Sequence, residues 1–206
     1  PKPYAHWARP FRPMLCDGDA DTVGHRFAPD IGVAGHEVGD GAEQGTAVGP
    51  IQNKQQYNRV LELIADAKDK GYKFLVGGDH DPSIPGYFVP VTVLDNPPED
   101  ARIVAEEQFG PVMPLMKFST EEEVIARANA SEYGLAGAVW TGDPENGVKI
   151  AEQLETGTVW INESMHLAPN APFAGHKQSG FGAELGEEGL LEFTYPQVIT
   201  IAREAA

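Results

Sequence analysis

The sequence predicts an α/β fold, a largely parallel sheet flanked by helices, and two observations carry this prediction. Short β-rich runs bounded by Gly or Pro alternate with segments whose apolar residues recur every three or four positions, which is the pattern of βαβ units. The chain can also bury one sizeable core, or a core with an appendage, because 41% of its 206 residues are hydrophobic and 9% are aromatic. We therefore expect a globular protein.

The clearest helix is predicted over residues 54–70, KQQYNRVLELIADAKDK. Lysines occupy its last turn, where they complement the helix dipole, and Gly71 follows as the residue expected to end it. One stripe of this helix is apolar and should face the core; it consists of Tyr57, Val60, Leu61, Ile64 and Ala67.

Strands and shorter helices alternate after this helix. Pro90 indicates that one strand is an edge strand or is interrupted. Ser119 and Thr120, each followed three residues later by glutamate, form overlapping capping boxes for a second helix, and Asp143 with Pro144 opens a third. The runs typical of strands are 73–78, 87–94, 112–118, 135–140 and 158–162.

The composition changes near residue 40 and divides the chain into three predicted segments. Residues 1–37 show neither a helical nor a strand period, so we predict an irregular segment outside the pattern of the rest. A shifted reading frame or a gene fusion would produce such a stretch. Residues 38–195 form the α/β unit, in which 168–189 should be mainly loop. Residues 196–206 contain QVITIA (197–202), which predicts a terminal strand.

Charge and composition exclude several classes of function. The 15 Lys and Arg residues against 31 Asp and Glu give a net charge of −16, which repels phosphate backbones, so no nucleic acid partner is expected. No apolar run reaches the roughly 18 residues of a membrane helix, and residues 1–12 lack the layout of a signal peptide. We expect a cytoplasmic protein without a membrane partner. The single cysteine, Cys16, excludes an internal disulfide framework and a multi-cysteine metal site.

Five stretches of the chain, taken in order, form a recognisable series: GPIQN (49–53), EEQFGPV (106–112), RANASEYGLAGAVW (127–140), GTVWIN (157–162) and PFAGHKQSGFGAELGEEGLLEFT (172–194). Together they resemble the C-terminal part of the catalytic domain of the aldehyde dehydrogenase superfamily, over about residues 38–202. The resemblance implies an α/β fragment of that catalytic domain, followed by a terminal strand of the kind that family members pair with a neighbouring subunit.

The first two residues implied by the resemblance belong to a cofactor site. In the family, the second glutamate of E-E-x-F-G-P accepts hydrogen bonds from the nicotinamide ribose hydroxyls, and the phenylalanine packs near the nicotinamide; here these are Glu107 and Phe109. An ionised carboxylate is a strong acceptor for a vicinal diol, and a flat aromatic limits where a hydride-accepting ring can lie. The alternative is a solvated pair of glutamates before a turn, and for Glu106 we retain that interpretation.

The resemblance also implies an aldehyde-binding wall. In the family a phenylalanine at the position of Phe173 lines the substrate tunnel, and the preceding segment with Leu167 contributes to substrate choice; an apolar wall suits the burial of an aldehyde. A core role for Phe173 remains equally open. The chain departs from the family at Ala174, where glycine is more usual, and at Ala183, where many members have arginine. Asn162 is predicted to organise a loop by satisfying backbone groups.

The resemblance implies a reaction in which a cysteine thiolate attacks the aldehyde, hydride passes to NAD or NADP, and hydrolysis releases the acid. The family's cofactor domain, general base, oxyanion asparagine and nucleophile should lie before the matched stretches. Cys16 does not stand at the family distance from Val38-Gly39-Asp40 and lacks the Gly-Gln-x-Cys setting, so we assign no catalytic residue. We expect this chain alone to bind no cofactor and to be inactive.

Two rival hypotheses stay open beside that of an inactive part of an aldehyde dehydrogenase. One is a non-catalytic module that joins a homo-oligomer, or docks with a relative, by adding its terminal strand to a partner sheet. The other is a truncated product without a function of its own. The sequence does not indicate which aldehyde is the substrate, or whether NAD or NADP is preferred.

Overall fold

The computed structural model describes residues 4–6, 11–16 and 37–202. Within these residues one large sheet is accompanied by helices and by three short strand pairs. The strands are β1 (Tyr4–His6), β2 (Phe11–Cys16), β3 (Glu37–Val38), β4 (Thr46–Val48), β5 (Phe74–Val76), β6 (Thr92–Asp95), β7 (Val112–Lys117), β8 (Tyr133–Gly134), β9 (Ala136–Trp140), β10 (Thr158–Ile161), β11 (Phe173–Ala174), β12 (His176–Lys177) and β13 (Ala183–Glu184).

The large sheet has seven strands in the order β10-β9-β2-β1-β7-β6-β5. Strands β10, β9 and β2 are mutually parallel, as are β6 and β7. Strand β1 is antiparallel to both β2 and β7, which therefore point the same way, and β5 is antiparallel to β6. Five of the seven strands thus share one direction, and the predicted α/β fold with a largely parallel sheet is confirmed.

The N-terminal segment departs from the expectation of an irregular stretch. Strands β1 and β2 lie within residues 1–37, and they occupy the middle of the large sheet, where β1 joins β7 to β2. The sequence did not reveal them for two reasons. Strand β1 has three residues and is too short to show a period, and Pro13 breaks the pattern expected of a strand within β2. The prediction of irregularity is wrong for these nine residues, and the rest of the segment before Glu37 lies outside the described residues.

Three of the five described helices begin at a residue whose side chain caps them. In the first, the Asn53 side chain accepts from the backbone of Gln56, and Gly71 follows the last turn at φ +70°. Thr120 caps the third and Asp143 the fourth, with Pro144 in its first turn. The helices are α1 (Lys54–Asp69), α2 (Arg102–Ala105), α3 (Glu121–Asn129), α4 (Pro144–Ala151) and α5 (Gly186–Leu191).

The predicted pair of overlapping capping boxes is a single one. The Thr120 side chain accepts from the backbone N–H of Glu123 at 3.2 Å, and the Glu123 carboxylate accepts from the N–H of Ser119 at 2.9 Å. Ser119 therefore takes part through its backbone rather than as a cap. This contact, followed by those of Arg127, lowers the pKa of the Glu123 carboxyl, because each favours the charged form.

Two strand predictions need correction. Strand β6 begins at Thr92, after Pro90, and lies inside the sheet between β5 and β7, so Pro90 marks neither an edge nor an interruption. Residues 197–202 form no strand, although they are β-branched. A strand requires a partner for its backbone groups, and these residues have no ladder within the described part of the chain.

Buried side chains form two clusters, one on each face of the sheet. Alternate residues of a strand point to opposite faces, so Leu94 and Met116 join the first cluster while Val93 and Leu115 join the second. The first is the larger and contains the buried apolar side chains of α1 to α4. The predicted α1 stripe is confirmed, with Leu63 as an additional fully buried member. The second consists of Val93, Leu115, Ala136, Ala138 and Trp160, and Phe173 packs on it.

Asn162 ties together the ends of the parallel strands β9 and β10. At φ +56°, its Oδ1 accepts from the N–H of Thr141 at 2.8 Å, and its Nδ2 donates to the Thr141 carbonyl at 3.0 Å. The prediction that Asn162 satisfies backbone groups is confirmed. Asn96 repeats the arrangement after β6, since it lies at φ +52° and its Oδ1 accepts from the N–H of Lys117 at 2.8 Å.

We expect Asn162→Ala to lower the free energy of unfolding by about 2 kcal/mol, because two backbone hydrogen bonds are lost and alanine tolerates positive φ poorly. Urea denaturation measures the change. Asn162→Gly relieves the backbone strain but not the lost bonds, so it should recover only part of the stability. Full recovery with glycine would show that the amide contacts contribute nothing.

Candidate functional site

The turn at residues 106–110 connects α2 to β7 and presents an aromatic ring to solvent. Phe109 has φ +45°, a conformation that bulky residues seldom adopt, and 61% of it is exposed. Its neighbour Gln108 is instead 2% exposed, and its side chain donates to the carbonyl of Ile103 within α2. An exposed ring on a strained, anchored backbone is typical of functional positions.

Side chains of helix α1 hold this turn by contacting the backbone of the turn. The Gln56 side chain donates to the carbonyl of Gln108, and also approaches that of Phe109 at 3.3 Å. On the next turn of the same face, Val60 packs against Gly110, where an added Cβ would lie 2.6 Å from a Val60 methyl. The spacing of four residues between Gln56 and Val60 places both contacts on one side of α1.

Glu106 is ion-paired, which corrects its interpretation as one of a solvated pair. Its Oε1 accepts from Nε of Arg102 at 2.7 Å, and its Oε2 contacts the guanidinium of Arg59. Glu62 bridges the same two arginines, at 2.7 Å to Arg102 and 3.4 Å to Arg59. The hydrogen bond and charge of Arg102, with a smaller contribution from Arg59, lower the pKa of the Glu62 carboxyl.

Glu107, the next residue, is half-buried. The backbone at Glu106 is extended, with φ −102° and ψ 148°, and successive side chains of an extended chain point to opposite sides. Since Glu106 is paired with Arg59 and Arg102, an extended course of the chain predicts that Glu107 is directed away from these arginines.

The predicted substrate residues are attached to the second cluster rather than to α1 and α2. Phe173, in β11, is half-buried and packs on that cluster, as a core residue would. Leu167 is 46% exposed. The neighbouring carbonyl of His166 accepts from Nε1 of Trp160 at 2.8 Å. Because Trp160 belongs to the cluster that Phe173 contacts, the segments carrying Leu167 and Phe173 are fastened to the same buried group.

The two departures from the family pattern are neighbours in the structure. Strand β11 pairs with β13, and the register places Ala174 directly opposite Ala183. Directly opposed side chains in an antiparallel pair lie on the same face of the sheet. The two positions are therefore cross-strand neighbours, and both belong to the strand pair that holds Phe173.

Sequence reasoning missed the residues that support the turn, namely Gln56, Arg59, Arg102 and Gln108. One local signal was present, because Arg102 and Glu106 stand four residues apart, the spacing of a helical ion pair. The contacts of Gln56 and Arg59 span 52 and 47 residues, so no local pattern could reveal them.

Neither a metal-holding cluster nor a membrane-spanning helix is found among the described residues. In that part of the chain no group of three or more His, Cys, Asp or Glu residues is arranged to hold a metal ion. Among the helices of the described residues, none is long and apolar enough to span a bilayer.

Comparison with known proteins relates this fold to enzymes that act on aldehydes. The structure superposes on the aldehyde dehydrogenase of Bacillus cereus with a TM-score of 0.76 and 41% identity, over 85% of this chain and 35% of that one. An aldehyde dehydrogenase of Mycobacterium tuberculosis, solved in complex with NAD+, gives a TM-score of 0.73 and 38% identity, over 82% of this chain and 36% of that one.

The aldehyde dehydrogenase family model matches residues 30–199, and the chain belongs to this family. Retinaldehyde dehydrogenase 3 of Homo sapiens is 44% identical over 80% of this chain and 32% of its own length. Succinate-semialdehyde dehydrogenase [NADP(+)] of Deinococcus radiodurans is 43% identical over 78% of this chain and 34% of its own length. The chain thus spans about a third of the length of these curated relatives.

Gly110→Ala should displace the turn, because the new Cβ would lie 2.6 Å from the Val60 side chain. We expect the free energy of unfolding, measured in urea, to fall by about 1–3 kcal/mol, as for other overpacked sites. Val60→Ala makes room at the cost of a cavity, so the double variant should lose less than the sum of the two single changes. Simple additivity would show that the two residues do not press on each other.

Proposed function

We propose that the turn at residues 106–110 forms the nicotinamide edge of an aldehyde dehydrogenase active site, in which Glu107 accepts hydrogen bonds from the ribose hydroxyls and Phe109 contacts the ring. The observation that carries the proposal is the exposed Phe109 ring, held at positive φ by contacts from α1 and placed two residues from a half-buried carboxylate. The residue types fit the group, since a carboxylate suits a vicinal diol and an aromatic suits a flat ring.

Bound NAD or NADP would accept hydride during oxidation of the aldehyde to a carboxylic acid. The contribution of this chain to that reaction is placement. Glu107 restricts rotation of the ribose, and Phe109 limits the space that the ring can occupy, which lowers the entropy lost at the reacting centre. The relatives include an NADP(+)-named enzyme and structures with NAD+, and the proposal covers both cofactors.

The substrate in this proposal is an aldehyde bound near Phe173 and Leu167. The exposed side chain of Leu167, beside a carbonyl fastened to Trp160, would supply an apolar surface on a fixed segment. Similar enzymes carry the names of retinaldehyde, succinate semialdehyde and betaine aldehyde, so the class of substrate is proposed rather than one member. One relative is named as cytosolic, and this supports a cytoplasmic location.

We further propose that a polypeptide of these 206 residues alone does not oxidise aldehydes. Its one thiol, Cys16, ends strand β2 and lacks the sequence setting of the family nucleophile. Groups that act together in catalysis are not replaced by the part that remains. In this proposal Glu107 and Phe109 operate only together with groups that these residues do not include.

The test begins with calorimetric titration of the 206-residue polypeptide with NAD and NADP, followed by an aldehyde panel and the absorbance of the reduced cofactor. We expect neither binding nor turnover. A chimera is then made in which residues 38–202 of this protein replace the equivalent segment of the Bacillus cereus enzyme, whose structure with NAD+ is known. In this chimera Glu107→Gln should raise the KM for NAD about tenfold or more, because a charged acceptor is lost.

The matched control is Glu122→Gln, which changes an exposed glutamate in α3 and should leave the KM unchanged. The melting temperature of both variants should equal that of the parent chimera. Reduced cofactor formed by the 206-residue polypeptide would contradict the proposed inactivity. An unchanged KM in Glu107→Gln would contradict the ribose contact.

A second candidate function is association through residues 197–202. Val198, Ile199 and Ile201 are 85%, 78% and 87% exposed, and the segment forms no ladder within the described residues. A β-branched stretch with free backbone groups can add to the sheet edge of another copy or of a relative. This candidate needs neither cofactor nor thiol.

Sedimentation velocity tests the second candidate. If the segment pairs as a strand, the polypeptide should associate at micromolar concentration, and Ile199→Pro should make it monomeric because proline lacks the backbone N–H. Ile199→Val keeps both the N–H and the branched side chain, and should still associate. A monomer at every concentration would eliminate this candidate for self-association.

A further inference from the structure

The carboxylate of Glu106 closes a ring of ion pairs between three elements. Arg59 and Glu62 belong to α1, Arg102 begins α2, and Glu106 ends α2 and starts the turn. Each of the two glutamates bridges both arginines, with Arg102 at 2.7 Å from Glu62 and from Glu106. A closed arrangement of this kind fixes three backbones relative to one another, which an isolated pair does not.

The ring is too exposed to act mainly through stability. The side chains of Arg59, Arg102 and Glu106 are 36%, 33% and 31% exposed, and ion pairs in such surroundings add little to the free energy of folding because solvent screens them. Its geometric effect does not depend on that energy. A planar guanidinium holds a carboxylate in a defined direction, so the Glu106 side chain has little freedom to rotate.

The anchor at Glu106 restrains its neighbour. The backbone at Glu106 is extended, a conformation that directs consecutive side chains to opposite sides. When Glu106 is fixed against Arg59 and Arg102, the peptide that joins it to Glu107 has less freedom to move. The arginines also neutralise the charge of Glu106, which would otherwise repel the carboxylate of Glu107 beside it.

We propose that Glu106 is a positioning residue, which acts through Arg59 and Arg102 to orient Glu107 and Phe109 toward the nicotinamide nucleotide. The inference rests on the function proposed above, and it divides the adjacent glutamates into one that anchors the turn and one that meets the cofactor. Glu106 itself touches neither cofactor nor substrate.

The first measurement uses the 206-residue polypeptide and needs no cofactor. Backbone ¹⁵N relaxation reports the order of the amides of Glu107, Phe109 and Gly110. In Glu106→Gln we expect their order parameters to fall from about 0.85 to below about 0.6, while those of α3 stay unchanged. Arg59→Gln, which leaves the contact between Glu106 and Arg102 in place, serves as a milder second variant. Order retained at the turn in both variants would overturn the proposal.

The second measurement uses the chimera with the Bacillus cereus enzyme. Glu106→Gln should raise the KM for NAD about tenfold and also lower kcat, since a poorly placed turn binds the ribose less firmly and leaves the nicotinamide ring less well oriented. The double variant Arg59→Gln/Glu106→Gln should be no worse than the poorer single one, because both remove the same pair. Glu122→Gln again controls for loss of a surface charge.

Comparison with Glu107→Gln distinguishes failure of the positioning role from failure of the proposed function. If Glu107→Gln raises the KM for NAD and Glu106→Gln does not, the positioning role is overturned and the proposed function stands. If Glu107→Gln has no effect, the proposed function fails, whatever the relaxation data show. Elevated KM values in both variants, with disorder of the turn only in Glu106→Gln, support the proposal.

Discussion

The contact between Val60 and Gly110 is the constraint on which the candidate site depends. Val60 is fully buried in the first cluster, and the space beside it admits a residue without a Cβ and no larger one. The turn before β7 therefore packs directly on the core. The Gln56 side chain adds hydrogen bonds from α1 to the carbonyls of Gln108 and Phe109. The precision of the turn comes from the packing of α1, which is the most strongly specified element of the sequence.

These contacts explain how the exposed Phe109 is maintained in a strained backbone conformation. Positive φ at a phenylalanine costs free energy, and burial of the ring does not repay it, since most of the ring is exposed. The cost is instead offset by the two neighbouring residues. Gln108 is buried and donates a hydrogen bond to the carbonyl of Ile103 in α2, and Gly110 packs on Val60. A residue that is strained and exposed, between two that are anchored, supports the proposal that the turn is a binding element.

Features that depend on residues close together in the sequence could be predicted, and features that depend on distant residues could not. The α1 stripe, the caps at Thr120 and Asp143, and the role of Asn162 depend on residues within a few positions or on a recognisable strand end, and all were predictable. Strand β1 was not, because three residues carry no period and gain their structure from β2 and β7. Glu106 was misjudged for two reasons. One partner, Arg59, lies 47 residues away. The other, Arg102, stands at helical spacing, but the four-residue helix that brings it to Glu106 is too short to show a period and was not predicted.

Phe173 is held on the second cluster by the short strand pair of β11 and β13. The carbonyl of Ala174, the next residue, lies so close to Gly157 that a Cβ on that glycine would come within 1.6 Å of it. The obstacle is a backbone atom, which cannot rotate away as a side chain can, so only glycine fits at position 157. The close approach of β11 to the start of β10 therefore depends on Gly157, and it keeps Phe173 against the cluster that contains Trp160 of β10.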